Sequence, residues 1–282
     1  AAIIFFKVVN PAWSYGNLSQ TQISTVNTVF NIATTLLLFP LSGLIVKLAK
    51  KISKIDDSVQ DDSVVLLDER MLQTPSIALQ STISEAGRMG ELVKDTLDIA
   101  RRVLFTRTAE DIQALKDDET KVDKLCAGIT EYAIKLTRLQ ISEQEHDYVA
   151  RLLQVLSDVE RVSDYCENIA EAAESLAEKK LEFSDMGRQE LQEMINVCAD
   201  AYVYAIDAFI NNDKDLALKV IENETRADDL EIKLRAKHIK RLANNQCNTE
   251  TGIIFLDTVL WMERISDHSR NIAEEVLEHL SL

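Results

Sequence analysis

Apolar residues recur at helical spacing along most of the chain, from about residue 75 onward. Positions three and four apart fall on one face of a helix, so this pattern predicts amphipathic helices that pack against one another. The pattern breaks near 106–108, 140–142, 183–187, 211–213 and 244–252, which leaves six predicted helices. Ser142 with Glu145 three residues later, and Ser184 before Asp185, are typical of residues that begin a helix.

An uncharged apolar segment lies at residues 26–46. Its length is about the roughly 20 residues that a bilayer crossing needs, so the sequence predicts a transmembrane helix there. The lysines that follow place the C-terminal side in the cytoplasm, because cytoplasmic flanks are rich in Lys and Arg. The alternative interpretation is a buried helix of a soluble core. The expected parts are the end of a membrane domain at 1–48, a linker at 49–75, and two helical repeats at 76–182 and 183–282.

Composition supports an all-helical chain and excludes one class of partner. Only 7 glycines and 3 prolines are present, while 46% of the residues are hydrophobic and 28% are charged, which is typical of long helices with few tight turns. The net charge of -16 argues against nucleic acid as a partner, because phosphate backbones repel acidic surfaces. Four widely spaced cysteines, with no Cys-x-x-Cys pair, indicate reduced thiols rather than a disulfide framework.

The helical part contains an internal repeat. The twelve residues that begin at Glu160 recur at Glu263 with eight identical positions, a shift of 103 residues. A second motif, which begins at Glu119, recurs at Glu224 with a shift of 105 residues. Two motifs that keep their order and almost their spacing predict a tandem of two three-helix units. Each unit would bury its apolar face against the other, as helices do in bundles.

Each repeat carries two pairs of carboxylates four residues apart, so the members of a pair share one helix face. These eight candidate metal ligands are Glu119, Asp123, Glu160, Asp164, Glu224, Asp228, Glu263 and Asp267. With 47 acidic residues in 282, chance alone gives about 8 such pairs, so a single pair indicates only a solvated face. Four pairs in register with the repeat favour a cation site. Oxygen ligands suit hard cations such as iron(III), manganese, magnesium or calcium, and zinc remains an alternative.

The repeat of paired carboxylates over residues 76–282 resembles the PhoU-like domains, which are built of two three-helix units. The residues Leu67-Asp68-Glu69-Arg70, followed by Thr74-Pro75, are similar to the junction found in sodium/phosphate cotransporter proteins that carry such a domain at the C-terminus. The resemblance implies an all-α fold in which one transmembrane helix precedes two tandem three-helix bundles. It also implies multinuclear iron or zinc at the acidic motifs.

The expected function is that of a metal-binding regulatory tail of a sodium-dependent phosphate transporter in a bacterial inner membrane, with the helical domain in the cytoplasm. The expected partners are a transmembrane transport domain upstream, sodium and phosphate for the whole protein, and a second copy of the chain. No enzymatic motif is present in the sequence, so catalysis is not expected. Two alternatives stay open: a stand-alone PhoU-type regulator of phosphate signalling, and a membrane-tethered metal-binding protein of other purpose. His268 is expected to be a lone exposed histidine, and the alternative is that it joins a site beside Asp267.

Overall fold

A computed structural model describes residue 28 and residues 66–278 of the chain. A short 3-10 helix, Glu69–Gln73, precedes the α-helices of this region. Six α-helices follow, and they are α1 Pro75–Thr106, α2 Ala109–Thr137, α3 Glu143–Glu178, α4 Asp185–Asn211, α5 Lys214–Ala243 and α6 Thr249–Glu278. Their number agrees with the six helices that the sequence predicts.

The helices end where local capping groups satisfy backbone atoms that have no partner within the helix. Ser142 and Glu145 form a reciprocal capping box at the start of α3, and the Ser184 hydroxyl accepts from the Gly187 N–H at the start of α4. Both predicted helix starts are confirmed. At the C-terminal ends of α1 and α4, Arg107 and Asn212 adopt left-handed backbone conformations that end the helix.

The helices pack as two groups of three. Helices α1, α2 and α3 contact one another, as do α4, α5 and α6, while α3 packs on α6 and α1 packs on α4. The α1–α4 contact is close, since a Cβ at Gly90 would lie 2.8 Å from the Ile206 Cδ1. Tyr202 and Phe255 are among the largest fully buried side chains of the hydrophobic core. Each buried apolar side chain contributes about 1.5–3 kcal/mol to folding, so packing rather than helix propensity stabilises this domain.

The expected membrane helix requires a correction. In the region from 66 to 278, no helix is long and apolar enough to cross a membrane. The physical reason is that each of these helices is amphipathic, with charged residues on the face turned away from its neighbours. The expected fold class, one transmembrane helix joined to the bundles, was therefore wrong in its membrane part, and the fold shown is all-helical with six helices. Residues 26–46, where that helix was assigned, lie outside the described residues.

The residues just before α1 contact the first helical group. The backbone N–H of Leu66 donates to Glu85 Oε2 on α1 over 2.8 Å, and the Tyr132 hydroxyl on α2 donates to the Asp68 carbonyl over 3.1 Å. Lys135 on α2 also forms a 2.7 Å ion pair with Glu69. The predicted domain boundaries at residues 48, 75 and 182 stay a prediction.

Candidate metal centre

The predicted carboxylates lie on four helices, two in each group of three. Glu119 and Asp123 belong to α2, and their partners Glu160 and Asp164 belong to α3. In the second group the corresponding residues lie on α5 and α6. Neighbouring helices that pack side by side can therefore bring carboxylates from two sequence motifs to one place.

The first group of helices forms one carboxylate cluster. Glu119, Asp123 and Asp164 each offer an oxygen atom, and these three atoms all lie within 4.8 Å of one another. Asp123 is exposed, whereas Glu119 and Asp164 are half-buried. We call these three residues the repeat-1 cluster. Their spacing brings carboxylate oxygens from two helices within reach of a single cation.

The second group forms the equivalent cluster. Glu224, Asp228 and Asp267 bring three carboxylate oxygens within 4.8 Å of one another, and we call them the repeat-2 cluster. Glu224 is buried, with 4% of its surface exposed, and Asp228 is exposed. The two clusters use corresponding residues of the two motifs, so the structure brings together six of the eight predicted ligands.

Carboxylates in each cluster have a raised pKa, as expected where burial and like charges disfavour ionisation. Burial, then the negative charge of Asp123, raises the pKa of Glu119 to about 7. Burial also raises the pKa of Asp164. In the repeat-2 cluster, burial and the nearby Glu224 raise the pKa of Asp228. A bound cation would favour the ionised forms and remove this cost.

The other two predicted ligands, Glu160 and Glu263, lie outside the two clusters of three. Both are nevertheless affected by the charge of a cluster residue. Burial and the charge of Asp164 raise the pKa of Glu160, and burial and the charge of Asp267 raise the pKa of Glu263. The buried Oε2 atom of Glu263 has no hydrogen-bond partner within residues 66–278. This atom does form an ion pair with Arg264 Nε over 3.4 Å.

The two clusters differ in charges that the sequence reading missed. Lys124, next to Asp123, corresponds to Asp229, which adds to the effect of burial in raising the pKa of Asp228. A second difference lies on α3 and α6. The position of Glu167 in α3 corresponds to that of Arg270 in α6, at the same shift of 103 residues. Arg270 forms a 2.8 Å ion pair with Glu224 of the repeat-2 cluster. Glu167 instead adds to the negative charge that raises the pKa of Glu119. The repeat-1 cluster therefore lacks an internal cation at the place where the repeat-2 cluster has one. The aligned repeats already carried this signal as a Glu-to-Arg difference.

A polar network joins the two helical groups between the clusters. Asp158 of α3 is buried and accepts hydrogen bonds from His268 Nδ1 over 2.8 Å and from Asn271 Nδ2 over 3.0 Å. The expectation that His268 is exposed and alone was wrong. Its ring lies against that of Tyr165, with 5.9 Å between the centroids. The internal repeat does not mark Asp158, because Trp261 stands at the corresponding position of the second repeat. The contact between Asp158 and His268 is therefore visible only in the folded structure.

The match to a protein family is consistent with this geometry. The model of the PhoU domain matches residues 86–173 and again residues 191–276, once for each group of three helices. Together the two matches cover more than half of the chain. The chain belongs to the PhoU domain family.

Relatives of two kinds are similar to the chain. PhoU homolog 1 of Thermotoga maritima, named a phosphate-specific transport system accessory protein, is 27% identical over 69% of the chain and 83% of its own length. A Salmonella typhimurium protein named "Putative inorganic phosphate export protein YjbB" is 24% identical over 88% of the chain. The chain spans about half of that protein, 46% of its length. In fold, the chain is similar to the crystal structure of PhoU from Pseudomonas aeruginosa, with a TM-score of 0.67, 24% identity, and coverage of 71% of this chain and 95% of that one.

Proposed function

We propose that the chain is a metal-binding regulatory domain that acts with a bacterial protein that moves phosphate across the membrane. The observation that supports metal binding most strongly is the pair of equivalent three-carboxylate clusters, one in each repeat. Neither cluster has catalytic machinery beside it that the sequence identifies, so the proposed role is binding and regulation rather than catalysis.

The residues present fit hard cations. Glu119, Asp123 and Asp164 would hold one ion or ion cluster, and the repeat-2 cluster would hold another. Glu160 and Glu263, at the edges of the clusters, supply further oxygens for multinuclear binding. Iron, zinc, manganese and magnesium are the proposed ions, because carboxylates bind all four. A bound cation would link carboxylates of neighbouring helices, so occupancy would stabilise the α2–α3 and α5–α6 contacts.

The connection to phosphate rests on the relatives. One is named an accessory protein of a phosphate-specific transport system and the other a "Putative inorganic phosphate export protein". The match to YjbB covers 88% of the chain and so extends beyond the residues that the PhoU domain matches. This favours a domain that belongs to, or works beside, the transport protein on its cytoplasmic side. Sodium coupling of that transporter is a finer proposal, supported by the junction residues 67–75.

A stand-alone accessory regulator is the second candidate. It is favoured by the fold similarity, which covers 95% of the Pseudomonas aeruginosa PhoU chain. Deletion of the chain from cells, followed by complementation in trans with residues 66–282, separates the two candidates. Restored regulation of phosphate flux by the separate domain supports the accessory regulator, whereas restoration only by the continuous gene supports the transporter-linked domain.

The metal proposal is tested by elemental analysis of metal-loaded protein. Asp123→Asn with Asp164→Asn should remove the metal of the repeat-1 cluster, and Asp228→Asn with Asp267→Asn that of the repeat-2 cluster. The control is Glu143→Gln with Asp147→Asn, which removes two exposed carboxylates of α3 outside both clusters.

We expect each cluster variant to lose part of the bound metal and the control to lose none. Equal metal content in all of these proteins would show that the clusters are ordinary solvated carboxylates. Flux of radioactive phosphate in cells that carry the variants then tests regulation, because a domain that signals through metal occupancy should lose control of flux with both clusters removed. Unchanged flux control in that strain would exclude the regulatory role of the metal.

A further inference from the structure

A cavity of about 210 Å³ lies where α5 ends and α6 begins, away from both carboxylate clusters. It is several times larger than the roughly 30 Å³ that one water molecule occupies in the liquid. His238, Arg241, Thr251 and Phe255 line it. On α5, His238 follows Asp228 of the repeat-2 cluster by ten residues, or about 15 Å along the helix. We call it the His238 cavity.

The ring of His238 has a defined tautomer. It is 4% exposed and stacks on the Phe255 ring, with 4.3 Å between centroids and an angle of 11°. The Arg241 Nη2 atom lies 3.1 Å from the His238 Nδ1 atom. Because a guanidinium can only donate, Nδ1 accepts and the proton of the neutral ring sits on Nε2. Burial and the charge of Arg241 both lower the pKa of His238, which keeps the ring neutral near pH 7.

Two polar atoms of the cavity lack protein partners. The His238 Nε2 atom and the Thr251 hydroxyl, whose residue is 7% exposed, form no hydrogen bond to any described residue. A buried donor without an acceptor costs about 1–3 kcal/mol, and native structures normally provide one. A Cβ at Gly252 would lie 2.8 Å from His238 Nε2, so glycine keeps the space beside this donor open.

The charged residues that line the cavity are Arg241 and Glu182. Glu190 accepts from both Arg241, over 2.7 Å, and Lys237, over 3.2 Å, so two cations share one carboxylate. Glu182 also lines the cavity but is exposed, where water screens its charge. The N-terminus of α6 does not supply the free donors, because Asn248 Oδ1 already accepts from the N–H groups of Glu250 and Thr251. The free donors are therefore side chains.

We propose that the His238 cavity binds a small oxyanion. Its oxygens would accept hydrogen bonds from His238 Nε2 and the Thr251 hydroxyl, and Arg241 would balance its charge. The chemistry is shared by tetrahedral oxyanions, such as inorganic phosphate, and by the carboxylate of a small organic acid. The ring of Phe255 forms an apolar wall, which excludes water and strengthens these hydrogen bonds.

The test is isothermal titration of the full chain with inorganic phosphate, sulfate and acetate, each alone and with a chelator present to keep the carboxylate clusters free of metal. We expect saturable binding of at least one of the three anions. Binding of phosphate and sulfate identifies a tetrahedral oxyanion, and binding of acetate a carboxylate. The absence of saturable binding by all three anions would overturn the proposal.

Two valine variants locate the binding. Thr251→Val removes the unpartnered hydroxyl, so the ligand-free protein should be as stable as the wild type or more stable, while anion affinity falls about tenfold. Thr258→Val is the matched control, because this buried hydroxyl lies further along α6 and bonds to the Ile254 carbonyl over 2.7 Å, outside the cavity. It should keep the wild-type affinity. Equal affinity in both variants would mean that the anion binds elsewhere, which contradicts the proposal.

Discussion

The same substitution at equivalent positions of the two repeats should change stability in opposite directions. Glu119→Gln removes a charge that Asp123 and Glu167 repel, so the metal-free protein should become more stable. Glu224→Gln removes the charged partner of Arg270, at 2.8 Å, from a nearly buried site, so the protein should become less stable. The swap of Glu167 for Arg270 between the repeats is the physical reason for the difference.

The magnitude follows from the electrostatics of Glu119. A pKa raised from 4.5 to about 7 sets an upper bound of about 3 kcal/mol, at about 1.4 kcal/mol per pKa unit. Because the side chain is only half-buried, water screens the repulsion, and we expect about 1 kcal/mol. For a domain of this size that corresponds to a rise in Tm of about 2–4 °C. The loss at Glu224 should be similar in size and opposite in sign.

The assay is thermal unfolding of the metal-free protein, followed by circular dichroism, at about pH 8 and about pH 4.5. The raised pKa of Glu119 means that the folded state loses stability as the pH rises from 4.5 through about 7. The increase in stability caused by Glu119→Gln should therefore be complete above pH 7 and absent near pH 4.5. Destabilisation by both substitutions, or a gain that does not depend on pH, would refute this account of the two clusters.

Three further predictions follow from the geometry. Metal titrations should show that the repeat-1 cluster loses affinity below about pH 7, because a cation must displace the proton of Glu119, whose pKa is raised to about 7. Asp158→Asn should lower the free energy of unfolding by about 2 kcal/mol in urea, because it weakens the buried hydrogen bond to His268, whereas the exposed Asp147→Asn should change it little. Residues 66–282 expressed alone should give the circular dichroism spectrum of a helical protein, and substantial strand content would contradict the fold.

The helix ends were predictable because they depend on local chemistry. Ser142 and Glu145 satisfy each other's backbone within four residues, and the left-handed Asn212 ends α4 without help from distant parts of the chain. Periodicity likewise identifies the buried face of each helix. The membrane assignment at 26–46 used a different kind of information, since hydropathy reports the absence of charge and not what covers an apolar surface. The six described helices show the amphipathic alternative, in which neighbouring helices cover the apolar face.

The candidate site was predictable in its residue types but not in its grouping. The repeat identified all eight carboxylates, yet only the packing of α2 on α3 and α5 on α6 determines which oxygens converge. Glu160 and Glu263 have the same sequence signal as the others but lie outside the two clusters of three. The pairing of Asp158 with His268 joins residues 110 positions apart, and no local pattern predicts it.

The charge difference between the repeats also determines how each cluster can respond to a cation. In the repeat-2 cluster, Arg270 already pairs with Glu224, so a metal ion must compete with an internal cation for this carboxylate. In the repeat-1 cluster, Glu167 adds negative charge beside Glu119 instead, and a cation competes with Arg161, which lies 3.0 Å from Asp164. The two clusters therefore present different charges to a cation, and we expect them to bind it with different affinities. Under the proposed metal binding, one site would fill at a lower cation concentration than the other, whereas two sites with the same charges would fill together.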